Sequence, residues 1–282
     1  MKLLRFGSFG SEKPAVQLDD GSIRDVSSLV RDYSPDTISP ALIKILLDAD
    51  LDTLPVVPNG VRIGAPIART GHFIAIGLNY ADHAAETGAA IPSEPIIFSK
   101  APSSLSGPTD DVILPKGSTK GDWEVELAVI IGERCHYVPE EKALSKVFGY
   151  AVCNDVSERE YQMERGGQWI KGKSAPTFGP LGPWIVTPDE IADVQNLELF
   201  LDLNGEPMQR GNTSTMIFSV AHLISYLSQF MVLEPGDIVT TGTPPGVGLG
   251  MKPPTFLKAG DVMKLSIEGL GTQQQKVVPF KL

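Results

Sequence analysis

The chain has 282 residues, 42% hydrophobic and 21% charged, which is enough for a sizeable core in one large domain or in a large and a small one. Its net charge is −10, from 34 acidic against 24 basic residues, with no Lys/Arg-rich run; nucleic acid and anionic membrane are poor partners for such a surface. Only Cys135 and Cys153 occur, so neither a disulfide framework nor a cysteine-ligated zinc is expected.

Residues 1–65 read as a small, β-rich N-terminal domain, and 66–282 as the main domain. Alternation across 15–26 with Asp20-Gly21 at its centre predicts a hairpin. Ser39 followed by Pro40 is a cap and first helical position, opening a short helix. The stretch 54–71 is broken by prolines and glycines and reads as a linker.

After an apolar strand at 73–77, the run Asn79-Tyr80-Ala-Asp82-His83-Ala-Ala-Glu86 follows at once. If it turns helical, His83 and Glu86 lie one turn apart on the same face. A carboxylate beside an imidazole orients it and raises its basicity, the arrangement of a general base. The alternative is an exposed helix start. The small, Pro-rich segment 87–95 could close over a site as a lid.

The run Asp122-Trp123-Glu124-Val125-Glu126-Leu127-Ala128-Val129-Ile130 is the most informative in the chain. As a strand it sends Trp123, Val125, Leu127 and Val129 to one face and Glu124, Glu126 and Ala128 to the other. Two carboxylates then stand ~7 Å apart on a strand that looks half or fully buried. Buried carboxylates need a proton, a cation or a metal, and the strand itself holds no lysine or arginine. The competing reading is a solvated Glu-x-Glu on an edge strand. Asp155, at the end of the apolar run 148–154, supplies a third carboxylate. Three carboxylates without a Cys/His cluster make an all-oxygen site suited to Mg²⁺ or Mn²⁺.

The loop 169–183 carries Lys171 and Lys173, either of which could meet a substrate carboxylate or a developing enolate. Asn204-Gly205 is a two-residue hairpin signal. Val220, Leu223, Ile224 and Leu227 recur at helical spacing, with His222 off the stripe and read as structural. The loop 240–248 lacks both the P-loop lysine and the dinucleotide glycine spacing, leaving an anion-binding turn or a plain tight turn. No apolar run nears the ~18 residues that cross a bilayer, and the first residues are too weakly apolar for a signal peptide. A cytoplasmic protein is expected. With 28 glycines and 23 prolines, a mixed α+β, mainly β fold with a roll or barrel-like core fits better than a doubly wound one.

In order and spacing, several segments resemble the fumarylacetoacetate hydrolase family. They are Gly77-Leu-Asn79-Tyr80-Ala-Asp-His83, Pro95-Ile-Ile-Phe98-Ser-Lys100, the Asp122–Gly132 run, Asn154-Asp155-Val-Ser157, Gly172-Lys173-Ser with Phe178-Gly-Pro-Leu-Gly182-Pro183, and Thr241-Gly242-Thr243-Pro244 with Gly246-Val-Gly248. The leading residues are similar to those of bacterial members near 2,4-diketo-3-deoxy-fuconate hydrolase. The resemblance implies a Mg²⁺- or Mn²⁺-dependent hydrolase of C–C bonds in 2,4-diketo acids, acylpyruvate-like or derived from sugar acids, and commonly a homodimer. It implies metal ligands Glu124, Glu126 and Asp155, catalytic His83, Glu86 and Lys173, and substrate contacts from Tyr80 and Thr243. Leu78 departs from acylpyruvate-cleaving relatives that carry arginine there. The products would be pyruvate and a carboxylic acid. Decarboxylation, tautomerisation, lyase or isomerase chemistry at the same site, or non-catalytic binding of an oxo acid, are the alternatives.

Overall fold

A computed structural model describes residues 1–88 and 90–281. The fold is mixed α and β, mainly β, and no sheet closes into a barrel among the described residues. A ten-stranded sheet carries the site. Its path runs Ile23–Asp25, Lys13–Gln17, Lys2–Phe6, Ile185–Val186, Val147–Asn154, Val125–Ile131, Ile238–Thr240, Phe73–Gly77 and Ile96–Lys100, with Ile63–Gly64 paired to Lys2–Phe6 beside it. A five-stranded sheet, Glu206–Asn212, Glu198–Leu203, Val262–Ile267, Gly271–Pro279 and Val112–Leu114, packs on one face.

The strand Val125–Ile131 is central, paired on both edges, and all seven of its residues are buried. Its period-two alternation divides two cores. Trp123, Val125, Leu127, Val129 and Ile131 join Leu199, Leu201, Leu265 and Ile267 of the second sheet. Ala128 and Ile130 join Leu3, Val16 and Leu46 from the first 65 residues. A central strand buried on both faces rules out the solvated edge considered for Glu-x-Glu. Residues 1–65 extend the same sheet, with Lys2 opposite Val186 and Leu3 opposite Ile185. The 54–71 stretch is held down by Arg62, which bridges Glu12 at 2.8 Å and Asp110 at 2.6 Å.

Local signals translate directly. The hairpin turn is closed by Leu18 N–H donating to Ser22 O at 2.8 Å and Gly21 N–H donating to Leu18 O at 3.0 Å. Ser39 caps Pro40–Leu47 by accepting from Leu42 N–H, and Ser219 caps Val220–Phe230 the same way through His222 N–H. Val220, Leu223, Ile224 and Leu227 are that helix's buried stripe, while His222 is partly exposed and meets Glu140 at 3.1 Å. Asn204 and Gly205 have φ of 55° and 85°, the paired positive values of a tight two-residue turn. Cys135 and Cys153 are free and buried. No helix among the described residues is long and apolar enough to cross a membrane.

Candidate metal and catalytic site

The three carboxylates singled out in the sequence converge. Glu124 immediately precedes the central strand, and its N–H donates to the Asn154 side-chain oxygen at 3.1 Å. Asp155 N–H donates to Glu124 O at 2.9 Å, while Glu126 lies opposite Cys153. One oxygen from each of Glu124, Glu126 and Asp155 lies within 4.8 Å of the others, and all three residues are buried. The central strand's register with Val147–Asn154 thus assembles the triad.

The expectation that a metal is the economical neutraliser because no cation is at hand needs correction. Lys173 Nζ donates to Glu124 at 2.6 Å and Asp155 at 2.7 Å. Lys100 Nζ donates to the other Asp155 oxygen at 2.6 Å. Arg159 bonds Glu124 at 2.7 Å and Asp122 at 2.8 Å. These cations come from other elements, which a reading confined to the strand could not see. Lys100, Arg159, Asp122 and Gln162, whose amide oxygen accepts from Arg159 at 3.0 Å, were assigned no role from sequence. No local pattern marks them; only strand register brings them in.

The charges still do not balance. Among the described residues, four carboxylates, Asp122, Glu124, Glu126 and Asp155, face three cations, and none of the ion pairs reaches Glu126. Its carboxylate accepts from Gly242 N–H at 2.9 Å. Burial, then the neighbouring Asp155 and Glu124, push the Glu126 carboxyl well above its ordinary value. Burial works in the same direction on Glu124, but Lys173 and Arg159 overcome it and hold that group at about 2. The Lys173 ammonium is opposed by burial, yet Asp155 and Glu124 raise its pKa. A surplus of buried negative charge on an all-oxygen donor set is the condition a divalent cation relieves. Glu124, Glu126 and Asp155 therefore fit such an ion.

Close packing delivers Lys173. The short helix Ile170–Lys173 presses on the segment carrying Glu158 and Gln162. A Cβ on Gly172 would collide with the Glu158 carbonyl and approach the Gln162 backbone nitrogen to 2.6 Å. Only glycine permits this approach without displacement.

The run after Phe73–Gly77 does turn helical, over Ala81–Thr87. His83 Nδ1 lies 3.2 Å from Glu86 Oε2, and His83 is buried. Glu86 is fixed in turn by Gly246 N–H at 3.1 Å. Leu78 sits at φ 51°, a left-handed conformation uncommon for such a side chain. It is held between the strand and Asn79, whose amide donates to Phe218 O at 3.1 Å and Thr241 O at 2.8 Å.

A cavity of about 840 Å³ brings His83, Glu86, Glu124, Glu126, Lys173 and Thr243 onto one surface. Thr243 donates to Val125 O at 2.9 Å and accepts from Gln209 at 2.8 Å. Tyr80 is placed differently: its ring is wholly buried in the core behind the cavity, with no hydrogen-bond partner for its hydroxyl. Burial first, then Glu126 and Asp82, raise its pKa well above the ordinary value. Lys171 faces away, donating to Arg165 O at 2.6 Å. The segment read as a lid, 87–95, includes position 89, which lies outside the described residues.

Known proteins resemble this chain in sequence and fold. Residues 72–278 match the family described as fumarylacetoacetate (FAA) hydrolase C-terminal. A Burkholderia lata protein named "Putative hydrolase" is 57% identical over 276 residues, 98% of each chain. A fumarylacetoacetate hydrolase from Exiguobacterium antarcticum superposes with a TM-score of 0.89 at 39% identity, covering 99% of this chain and all of that one (100%). A Mycobacterium abscessus structure titled a probable 2-hydroxyhepta-2,4-diene-1,7-dioate isomerase gives 0.85 at 33% identity, with 100% of both chains covered. The maleylpyruvate hydrolase of Sphingobium sp. SYK-6, solved with manganese(II) and pyruvate, gives 0.84 at 30% identity, again covering 100% of both. With its fold, its buried acidic triad and a match over most of its length, this chain belongs to the fumarylacetoacetate hydrolase family.

Proposed function

We propose that the chain is a divalent-cation-dependent hydrolase that cleaves the C3–C4 bond of a 2,4-diketo acid, giving pyruvate and a carboxylic acid. The observation that carries this reading is the meeting, in one cavity, of two carboxylates of the acidic triad, Glu124 and Glu126, with the imidazole–carboxylate pair of His83 and Glu86. The pyruvate and manganese(II) held by the Sphingobium relative support it. Glu124, Glu126 and Asp155 would hold Mg²⁺ or Mn²⁺, and the bound ion supplies Lewis-acid stabilisation of charge on the oxo-acid oxygens, worth several kcal/mol.

His83 takes a proton from water as the water oxygen bonds to C4. Glu86 keeps the ring oriented from 3.2 Å, and base catalysis of this kind contributes typically ~10²–10⁴-fold. The C4 carbonyl π pair moves to its oxygen as the water adds; when it returns, the C3–C4 electron pair goes to C3, which takes the proton held by His83 to complete pyruvate. Lys173 and Arg159, buried and charged, face that developing negative charge. Thr243 contacts substrate from the cavity surface. A homodimer, carried by the family resemblance, and a cytoplasmic location, read from the sequence, belong to the same proposal.

His83→Ala tests the reading. Pyruvate release should fall by roughly 10²–10⁴-fold, while Mg²⁺ still raises the thermal midpoint as in the parent chain. Undiminished pyruvate release overturns the role of His83. Loss of enol absorbance without pyruvate, in the parent chain, would favour isomerase chemistry.

A further inference from the structure

The cavity has two zones. Its floor holds Glu124, Glu126, Arg159 and Lys173. Its outer wall is formed by Phe98, Met163, Trp169, Val247, Leu249 and Met251, side chains that offer no polar group beyond the Trp169 indole N–H and two weak thioether sulfurs.

This wall is built into the fold. Phe98 and Trp169 pack edge to face, with centroids 5.2 Å apart and planes at 61°. Trp169 lies so close to the end of Phe73–Gly77 that a Cβ on Gly77 would come within 2.5 Å of its ring. Lys173 Nζ sits 5.1 Å from the Phe98 centroid, so one ring borders both zones. At the mouth, Met163 is 55% exposed and Leu249 37% exposed. Large apolar side chains at the rim of a cavity gain by being covered with apolar surface.

The wall offers little to a charged or hydroxylated tail. Among the described lining residues the cations are Arg159, Lys173 and Lys252. Arg159 is consumed by Asp122, Glu124 and Gln162, and Lys173 by Glu124 and Asp155. Lys252 is exposed, where an ion pair is screened and weak. Hydroxyls set against the wall would lose water without gaining partners.

We infer that the acyl group beyond C4 of the substrate is apolar, an alkyl or aryl chain, and is neither carboxylate-terminated nor polyhydroxylated. The inference rests on the 2-oxo acid reading above, and its test separates the two. Binding to the Mg²⁺-loaded protein is measured by calorimetry for straight-chain 2-oxo monoacids of increasing length, for 2-oxo diacids of matched length, and for a 2-oxo-3-deoxy sugar acid. Affinity is expected to tighten about fourfold per methylene. Each diacid and the sugar acid should bind roughly tenfold or more weakly than the monoacid of equal length. Replacing both rim residues, Met163→Gln with Leu249→Gln, should flatten the length dependence, and their exposure keeps the fold intact. No length dependence in the parent chain, or tighter binding of a diacid or the sugar acid, overturns the inference. Pyruvate release from acylpyruvates is followed in parallel: length-dependent binding without release refutes the proposed reaction and leaves the apolar subsite standing.

Discussion

Lys100→Met removes one of the two ammonium groups that hold Asp155, and the fold predicts a large loss of stability. Both residues are fully buried, with Lys100 Nζ 2.6 Å from Asp155. The same ammonium donates to Lys173 O at 2.5 Å. Methionine keeps most of the apolar stem, so the change is chiefly electrostatic. Removing one partner of a buried pair costs about 3–5 kcal/mol, because the other charge is left in a poor solvent. Lys173 still holds the second Asp155 oxygen at 2.7 Å, which favours the lower end. At roughly 2–4 °C per kcal/mol for a chain of this size, the thermal midpoint falls by roughly 6–12 °C. The variant also leaves four carboxylates against two cations, so added Mg²⁺ should restore more stability to it than to the parent. Scanning calorimetry with and without Mg²⁺ reads both effects. Combining the change with Asp155→Asn should recover part of the loss, as expected for coupled neighbours. A loss below about 1 kcal/mol, the range of exposed pairs, would refute the reasoning.

The remaining predictions concern the triad and its ligand. Burial, Asp155 and Glu124 raise the Glu126 carboxyl well above its ordinary value, so the metal-free folded chain keeps a proton there to higher pH than the unfolded chain does. That contribution to stability is complete below the ordinary carboxylate range and declines as pH rises toward the folded value. Metal-free Glu126→Gln should therefore be more stable than the metal-free parent at neutral pH, and Mg²⁺ should no longer stabilise it. A variant less stable than the metal-free parent in a calorimetric pH series contradicts this. Oxalate, a planar mimic of the pyruvate enolate, should inhibit competitively and only with Mg²⁺ present. Lys173→Met should weaken that inhibition and lower turnover together; oxalate binding that ignores Mg²⁺ tells against the assignment.

The parts of the site legible in the sequence are those set by short-range geometry. Alternation alone put Glu124 and Glu126 on one face, and a strand end placed Asp155. One helical turn brought His83 to Glu86. Their cationic partners were hidden because they arrive through strand register: Lys100 is 55 residues from Asp155 along the chain, and Arg159 reaches Asp122 across 37. The strand Gly271–Pro279 escaped notice for a different reason. Its Thr-Gln-Gln-Gln-Lys core reads as a polar surface, yet Gln273 and Gln275 are fully buried. Gln275 donates to Pro108 O at 2.6 Å and Gln273 to Val152 O at 2.6 Å. Amides so well paired cost little to bury, and no sequence pattern announces the partners. Tyr80 shows the converse limit: the resemblance implied a substrate contact there, whereas its backbone bridges Met216 and its ring is buried in the core.

The central claim is cation-dependent hydrolysis of a 2,4-diketo acid at the Glu124–Glu126–Asp155 triad. Its most direct test treats the protein with a chelator, removes the chelator, and supplies an acylpyruvate with and without Mg²⁺, following enol absorbance, pyruvate and the released acid together. Pyruvate and carboxylic acid are expected in equal amounts when Mg²⁺ is returned and almost none without it. Full cleavage by the metal-free protein would contradict it.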